Sequence, residues 1–170
     1  MTVEQLVLHG RFAHLHYPRV YSARDRAIAG EAMERMGLTE LRRTPLSSLS
    51  GGVRQKAYLA MALAQRADYL LLDEPTTYLD ISHRLGLMRD LRALAEEGRG
   101  VVTVLHDLSL AMDWADRIAV LQEGRLVACD TPDAILAEGV LTRVFGVTVG
   151  RYPTASGYAY YFGENRGGRV

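Results

Sequence analysis

Apolar positions in the first part of the chain recur at helical spacing on an otherwise polar background. Residues 4–9 start a turn or helix, and 10–20 read as a basic, aromatic loop. Residues 22–36 then place Ala27, Ile28, Ala32 and Met36 on one helical face, with Gly37 as the stop. A small-residue cluster, 47–52, leads into 53–66, whose Ala, Leu, Met and Gln content predicts a helix of about four turns. From residue 67 the period changes. Residues 67–72 form an apolar stretch, interrupted by Asp68 and ending in Asp73-Glu74-Pro75, the pattern of a strand buried on both faces. Helical spacing returns over 80–97 through Leu85, Leu87, Met88, Leu91 and Leu94, with Gly98 as the stop. Residues 100–105 read as a second apolar strand, ending at His106-Asp107. Strand, helix and strand at this spacing predict a right-handed βαβ unit with parallel strands. Beyond it the pattern predicts a short helix at 108–115 and a hairpin over 117–129. Small helices follow near 132–136 and 140–145, then a last hairpin that turns at 153–157 into 158–162.

A chain of 170 residues suits one domain with a core and is too short for two full-sized enzymatic domains. Lys and Arg total 20 and Asp and Glu total 20, so no global field favours a nucleic acid or an anionic membrane. The apolar stretches 69–72 and 101–105 are far too short to span a bilayer. Cys129 is the single cysteine, which excludes an internal disulfide and a cysteine-cluster metal site. Met1-Thr2-Val3-Glu4 lacks the basic start and apolar stretch of a signal peptide. Among the basic residues Lys56 is the single lysine, and it stands between Gln55 and Ala57. A phosphate-binding P-loop needs Gly-Lys-Ser/Thr, so these residues contain none.

Four places carry candidate chemistry. Ser50-Gly51-Gly52 sits at a helix N-terminus, where exposed N–H groups and a hydroxyl suit an anion such as phosphate; a Ser N-cap with loop glycines explains the same residues structurally. Asp73-Glu74 ends a strand, where ligands of open α/β sheets bind, and paired carboxylates there can divide the holding of Mg²⁺ from the polarising of a water. A solvated strand end is the structural alternative. Asp80 is explained by N-capping its helix. His106 ends the next parallel strand, where a histidine is more often structural than catalytic.

Order and spacing together point further. Leu49-Ser50-Gly51-Gly52-Val53-Arg54-Gln55, Leu70-Leu71-Leu72-Asp73-Glu74-Pro75-Thr76, Tyr78-Leu79-Asp80 and Val104-Leu105-His106-Asp107 resemble the signature motif, Walker B, D-loop and switch histidine of an ATP-binding cassette (ABC) ATPase. Within that family, Thr76-Thr77-Tyr78-Leu79-Asp80-Ile81, His106-Asp107-Leu108, Leu8-His9-Gly10-Arg11 and Val144-Phe145-Gly146-Val147 look like the importers of iron-siderophore, heme and cobalamin type. The resemblance covers roughly residues 1–150. Residues 2–11 resemble the stretch just after the Q-loop, which makes the chain similar to the C-terminal portion of a cassette, lacking the P-loop and Q-loop.

The resemblance implies an α/β fold: the C-terminal part of a RecA-like P-loop NTPase core, a parallel sheet with flanking helices, preceded by the ABC helical subdomain. It divides the chain into 1–48, part of the helical subdomain, 49–146, the signature helix with the C-terminal part of the ATPase core, and 147–170, a terminal hairpin and tail. ATP and Mg²⁺ are the implied cofactors. Ser50, Gly51 and Gly52 would bind the γ-phosphate of ATP held by a second cassette, with Gln55 near the ribose. Asp73 would hold Mg²⁺ through water, Glu74 would be the general base, His106 would contact the γ-phosphate, and Asp80 would couple the two sites. Val53 departs from the polar residue frequent at its signature position. The implied partners are transmembrane permease subunits, a second cassette in a head-to-tail homodimer and, indirectly, a substrate-binding protein, with no nucleic acid. The implied place is peripheral, at the cytoplasmic face of the plasma (inner) membrane.

Without a P-loop to position nucleotide, the chain alone is expected neither to bind ATP tightly nor to hydrolyse it, and an uncovered sheet edge predicts marginal stability and self-association. The alternative from another class is a non-catalytic half-cassette acting as an interaction module. A chromosome-maintenance ATPase would carry long heptad-patterned coiled coils, which this sequence lacks.

Overall fold

Capping boxes open the N-terminal helices. Before α1 (Val3–His9), the Thr2 hydroxyl accepts from Gln5 N at 3.3 Å while the Gln5 side chain accepts from Thr2 N at 2.8 Å. Ser22 and Asp25 make the same exchange before α2 (Ala23–Arg35), and Gly37, at φ +67°, follows the helix in a left-handed conformation that costs glycine little. The structure, a computed structural model, describes residues 1–77, 79–154 and 157–164. It separates into two compact units, Met1–Val104 and Leu105–Val170.

In the first unit, α1, α2 and α3 (Gly51–Ala64) pack on one another through Val3, Leu6, Ile28, Ala32, Leu59 and Leu63, all buried. Within the stretch expected as a basic, aromatic loop, Arg11 is buried. Its Nε donates to Asp25 Oδ1 at 3.1 Å and its Nη1 to the Ala64 carbonyl at 2.9 Å, tying the end of α1 to α2 and α3.

Strand β1 (Tyr69–Asp73) runs parallel to β2 (Gly100–Val104), and α4 (Ile81–Glu96) connects them, as the apolar runs predict. The register pairs Leu71 with Val102 and Asp73 with Val104. Leu70 is 4% exposed, and α4 contributes the buried Leu87, Met88, Leu91 and Leu94. The expected burial of both faces does not hold. Tyr69 is 69% and Leu71 77% exposed, and Val102 and Val104 on the same face are 57% and 52% exposed. Among the described residues this sheet has two strands and helices cover one side, so the apolar run that suits a doubly covered strand is covered singly. Leu94, fully buried, anchors the covered side; Leu94→Ala is expected to cost about 3 kcal/mol through lost transfer energy and a cavity. Urea unfolding checks this, and a cost below about 1 kcal/mol would show that α4 is not part of the cooperative core.

The second unit contains α5 (Leu108–Trp114), the hairpin β3 (Ile118–Gln122) and β4 (Arg125–Asp130), α6 (Pro132–Ala137), α7 (Val140–Phe145), and the hairpin β5 (Val147–Thr154) and β6 (Gly157–Glu164). Met112, Val120, Ile135, Val140 and Leu141 form its core, and Val149, Tyr160 and Phe162 of the last hairpin pack against them. These elements match those expected from the sequence. Of the turn expected at 153–157, Ala155 and Ser156 lie outside the described residues.

Candidate functional site

Ser50 is the N-cap of α3. Its Oγ accepts from Val53 N at 3.4 Å, and Ser50 and Gly51 are exposed, so the very start of a 14-residue helix opens to solvent. That end carries the positive pole of the helix dipole and N–H groups without helical partners. Gly52 is buried, and Gln55, one turn further along, is half-buried.

Asp73 closes β1 as an exposed carboxylate, in register with Val104. Glu74 follows in the left-handed region at φ +46°, a conformation that non-glycine residues adopt at a cost. It is held there from both sides: its N donates to the Val104 carbonyl at 3.1 Å, extending the parallel ladder, and its Oε2 accepts from the Thr77 hydroxyl at 3.1 Å. Thr76 and Leu79 are buried behind this turn. Tyr78, part of the segment resembling a D-loop, lies outside the described residues.

Asp80 is the N-cap of α4, as its position predicts. Its carboxylate accepts from His83 N at 2.9 Å and from the ring Nδ1 of His83 at 2.8 Å. The backbone N–H of His83, and after it the ring, hold the Asp80 carboxyl below the usual carboxylate range, so it is ionised at neutral pH. His106 falls in the second unit, exposed just ahead of α5, whose N-cap Asp107 accepts from Ser109 N at 3.0 Å and Leu110 N at 3.2 Å.

The first unit thus holds Ser50, Gly51, Gly52, Gln55, Asp73, Glu74 and Asp80 on the N-termini of α3 and α4 and the C-terminal end of β1, while His106 belongs to the second. His83 was not among the residues singled out from the sequence, although Asp80-x-x-His83 has the spacing of an N-cap and its N3 partner.

Residues 2–77 match the family model described as ABC transporter. Over that stretch the chain is similar to the ABC transporter family. The hemin import ATP-binding protein HmuV of Rhodococcus jostii (strain RHA1) is 44% identical to it over 145 residues, covering 85% of this chain and 49% of HmuV. The ferric enterobactin transport ATP-binding protein FepC of Escherichia coli (strain K12) is 39% identical over 148 residues, covering 86% of this chain and 55% of FepC. A metal-chelate type ABC transporter solved in an inward-facing conformation superposes with a TM-score of 0.86 at 25% identity, covering 95% of this chain and 65% of that one. The ADP conformation of an ATP-binding cassette gives 0.74 at 18% identity, covering 85% and 62%. The α/β fold is therefore that of ABC cassettes, and the chain spans about half the length of the curated relatives it matches. Among the described residues, no helix is long and apolar enough to cross a membrane.

Proposed function

We propose that this ABC chain supplies the signature and Walker B side of the ATPase of a metal-chelate importer, coupling ATP hydrolysis to transport of iron-siderophore, heme or a similar chelate. The observation that carries the reading is the placement of Asp73 and Glu74 at the C-terminal end of a parallel strand in the same unit as the solvent-open N-terminus of α3. The domain reading that goes with it assigns 1–48 to the helical subdomain, 49–146 to the signature helix and ATPase core, and 147–170 to a terminal hairpin and tail.

The donors present fit Mg²⁺ and a nucleotide. Among the described residues no group of His, Cys, Asp or Glu side chains gathers into a metal cage, while Asp73 offers one exposed hard-oxygen donor. Mg²⁺ is commonly held this way, by a carboxylate together with water and phosphate oxygens. When bound, ATP supplies the phosphoryl group, and Mg²⁺ offsets its negative charge. Asp73 would hold the ion through water. Glu74 takes the proton of the attacking water at its carboxylate, which the Thr77 hydroxyl keeps in orientation. Ser50, Gly51 and Gly52 present their N-terminal dipole to the γ-phosphate of nucleotide on a second cassette, and Gln55 lies toward its ribose. Asp80 couples the two sites of that head-to-tail pair, and His106 stabilises charge on the γ-phosphate. The partners are transmembrane permease subunits, which place the ATPase at the cytoplasmic face of the inner membrane and receive substrate from a binding protein.

Phosphoryl transfer is chiefly positioning, so the P-loop missing from these residues must be supplied. The test is to express the chain alone and behind an added N-terminal segment that carries a P-loop. The fused protein is expected to hydrolyse ATP and the chain alone to leave it unchanged. A fusion that unfolds cooperatively but neither binds nor hydrolyses ATP would sink the reading. The exposed Tyr69, Leu71, Val102 and Val104 favour one other role, a non-catalytic module that docks on a complete cassette or a permease. That role predicts that the chain, added in trans, changes the turnover of an intact ATPase.

A further inference from the structure

His83 belongs to none of the motifs above, yet it bridges two of them. It is the third residue of α4, and its ring Nδ1 lies 2.8 and 2.9 Å from the Asp80 carboxylate oxygens. An ionised carboxylate only accepts hydrogen bonds, so Nδ1 carries the proton and donates. The remainder of the ring lies against Gly52. A Cβ added at Gly52 would stand 2.5 Å from His83 Cγ and 2.9 Å from Nε2, well inside van der Waals contact. Gly52 does not adopt a left-handed φ, so the backbone does not require glycine there. The space occupied by the His83 ring requires it. The same contact accounts for the burial of Gly52 between the solvent and α4, while its neighbours Ser50 and Gly51 are exposed.

We propose that His83 is a positioning residue that fixes the spacing between the Ser50-Gly51-Gly52 turn and Asp80, so that a displacement of either is passed to the other. On one side it presses a rigid ring on a glycine backbone, a contact that resists compression; on the other it donates a charge-assisted hydrogen bond. The inference rests on reading the Ser50–Gly52 turn and Asp80 as the nucleotide-side residues of the two helices. Its mechanical content is independent of turnover.

The test therefore uses the 170-residue chain without nucleotide. Gly52→Ala, Asp80→Asn and His83→Ala are made singly and in all combinations, then compared by urea unfolding and by ¹⁵N NMR of backbone amides and of the His83 ring. Gly52→Ala is expected to lower the unfolding midpoint when His83 is present and to abolish the Nδ1–H tautomer signature of the ring. With His83→Ala it is expected to be neutral or stabilising, since alanine outranks glycine in a helix. Asp80→Asn is expected to shift the amide resonances of residues 51–53 in the parent chain and to leave them in place in His83→Ala. Effects of Gly52→Ala and Asp80→Asn that are the same with and without His83 would overturn the proposal. Absence of ATP turnover in the fused protein would overturn the ATPase reading alone, because the coupling is measured without it.

Discussion

Glu74→Gln, placed in the ATPase completed by a P-loop-bearing segment, is expected to lower ATP turnover by roughly 10²- to 10⁴-fold, the range for loss of a general base. Nucleotide affinity and the unfolding midpoint should stay close to those of the parent. Glutamine keeps the size of the side chain and an oxygen for the Thr77 hydroxyl, and it leaves the residue at φ +46°. What it removes is the proposed proton acceptor. A companion variant separates chemistry from backbone: Glu74→Gly relieves the left-handed conformation and should raise stability while remaining inactive. Turnover of Glu74→Gln within a few-fold of the parent would show that the carboxylate at the end of β1 is not the base.

The second large effect concerns stability of the first unit. Arg11 and Asp25 are 6% and 8% exposed, and Arg11→Ala leaves a buried carboxylate without its cation and the Ala64 carbonyl without its donor. Removing one partner of such a pair is strongly destabilising, and a fall in melting temperature of about 10 °C or more is expected. The pair also predicts acid lability. The Ser22 hydroxyl, then the Ser22 backbone N–H and Arg11, lower the Asp25 carboxyl from 3.8 to about 2. A carboxyl depressed on folding stabilises the folded chain above its unfolded pKa, and that contribution is lost as pH falls from about 4 toward about 2. Asp25→Asn should accordingly lower stability at pH 7 and flatten its dependence on pH over that window. Urea midpoints across pH 2 to 7 check both, and an unchanged acid limb in Asp25→Asn would remove Asp25 as its cause.

Sequence pattern was a good guide wherever the determinant is local. The Ser22 cap and Gly37 stop bracket α2, the apolar runs mark β1 and β2, and Asp80 caps α4, because each depends on residues a few positions apart. Ser50-Gly51-Gly52 and Asp73-Glu74 are each a local run as well, which is how the sequence marks them as candidates. What escaped depends on contacts far apart in the chain. Arg11 reads as part of a basic loop because its partners, Asp25 and the Ala64 carbonyl, are distant in sequence. The His83 ring meets Gly52 from another helix, and nothing local to either residue announces it. Nor does the Glu74 side chain disclose a left-handed bend, since positive φ is a habit of glycine and asparagine. The apolar content of β1 showed that the strand suits burial; it could not show how much cover the chain itself provides.

The strand that ends in Asp73 and Glu74 is also the strand whose outward face, Tyr69 and Leu71, is uncovered, and its ladder partner β2 holds the Glu74 N–H. A partner that covers that face would therefore press on the strand that carries the two carboxylates. On the proposed roles, hydrolysis would then serve as a gauge of assembly, since the acid pair would answer to whether that face is covered.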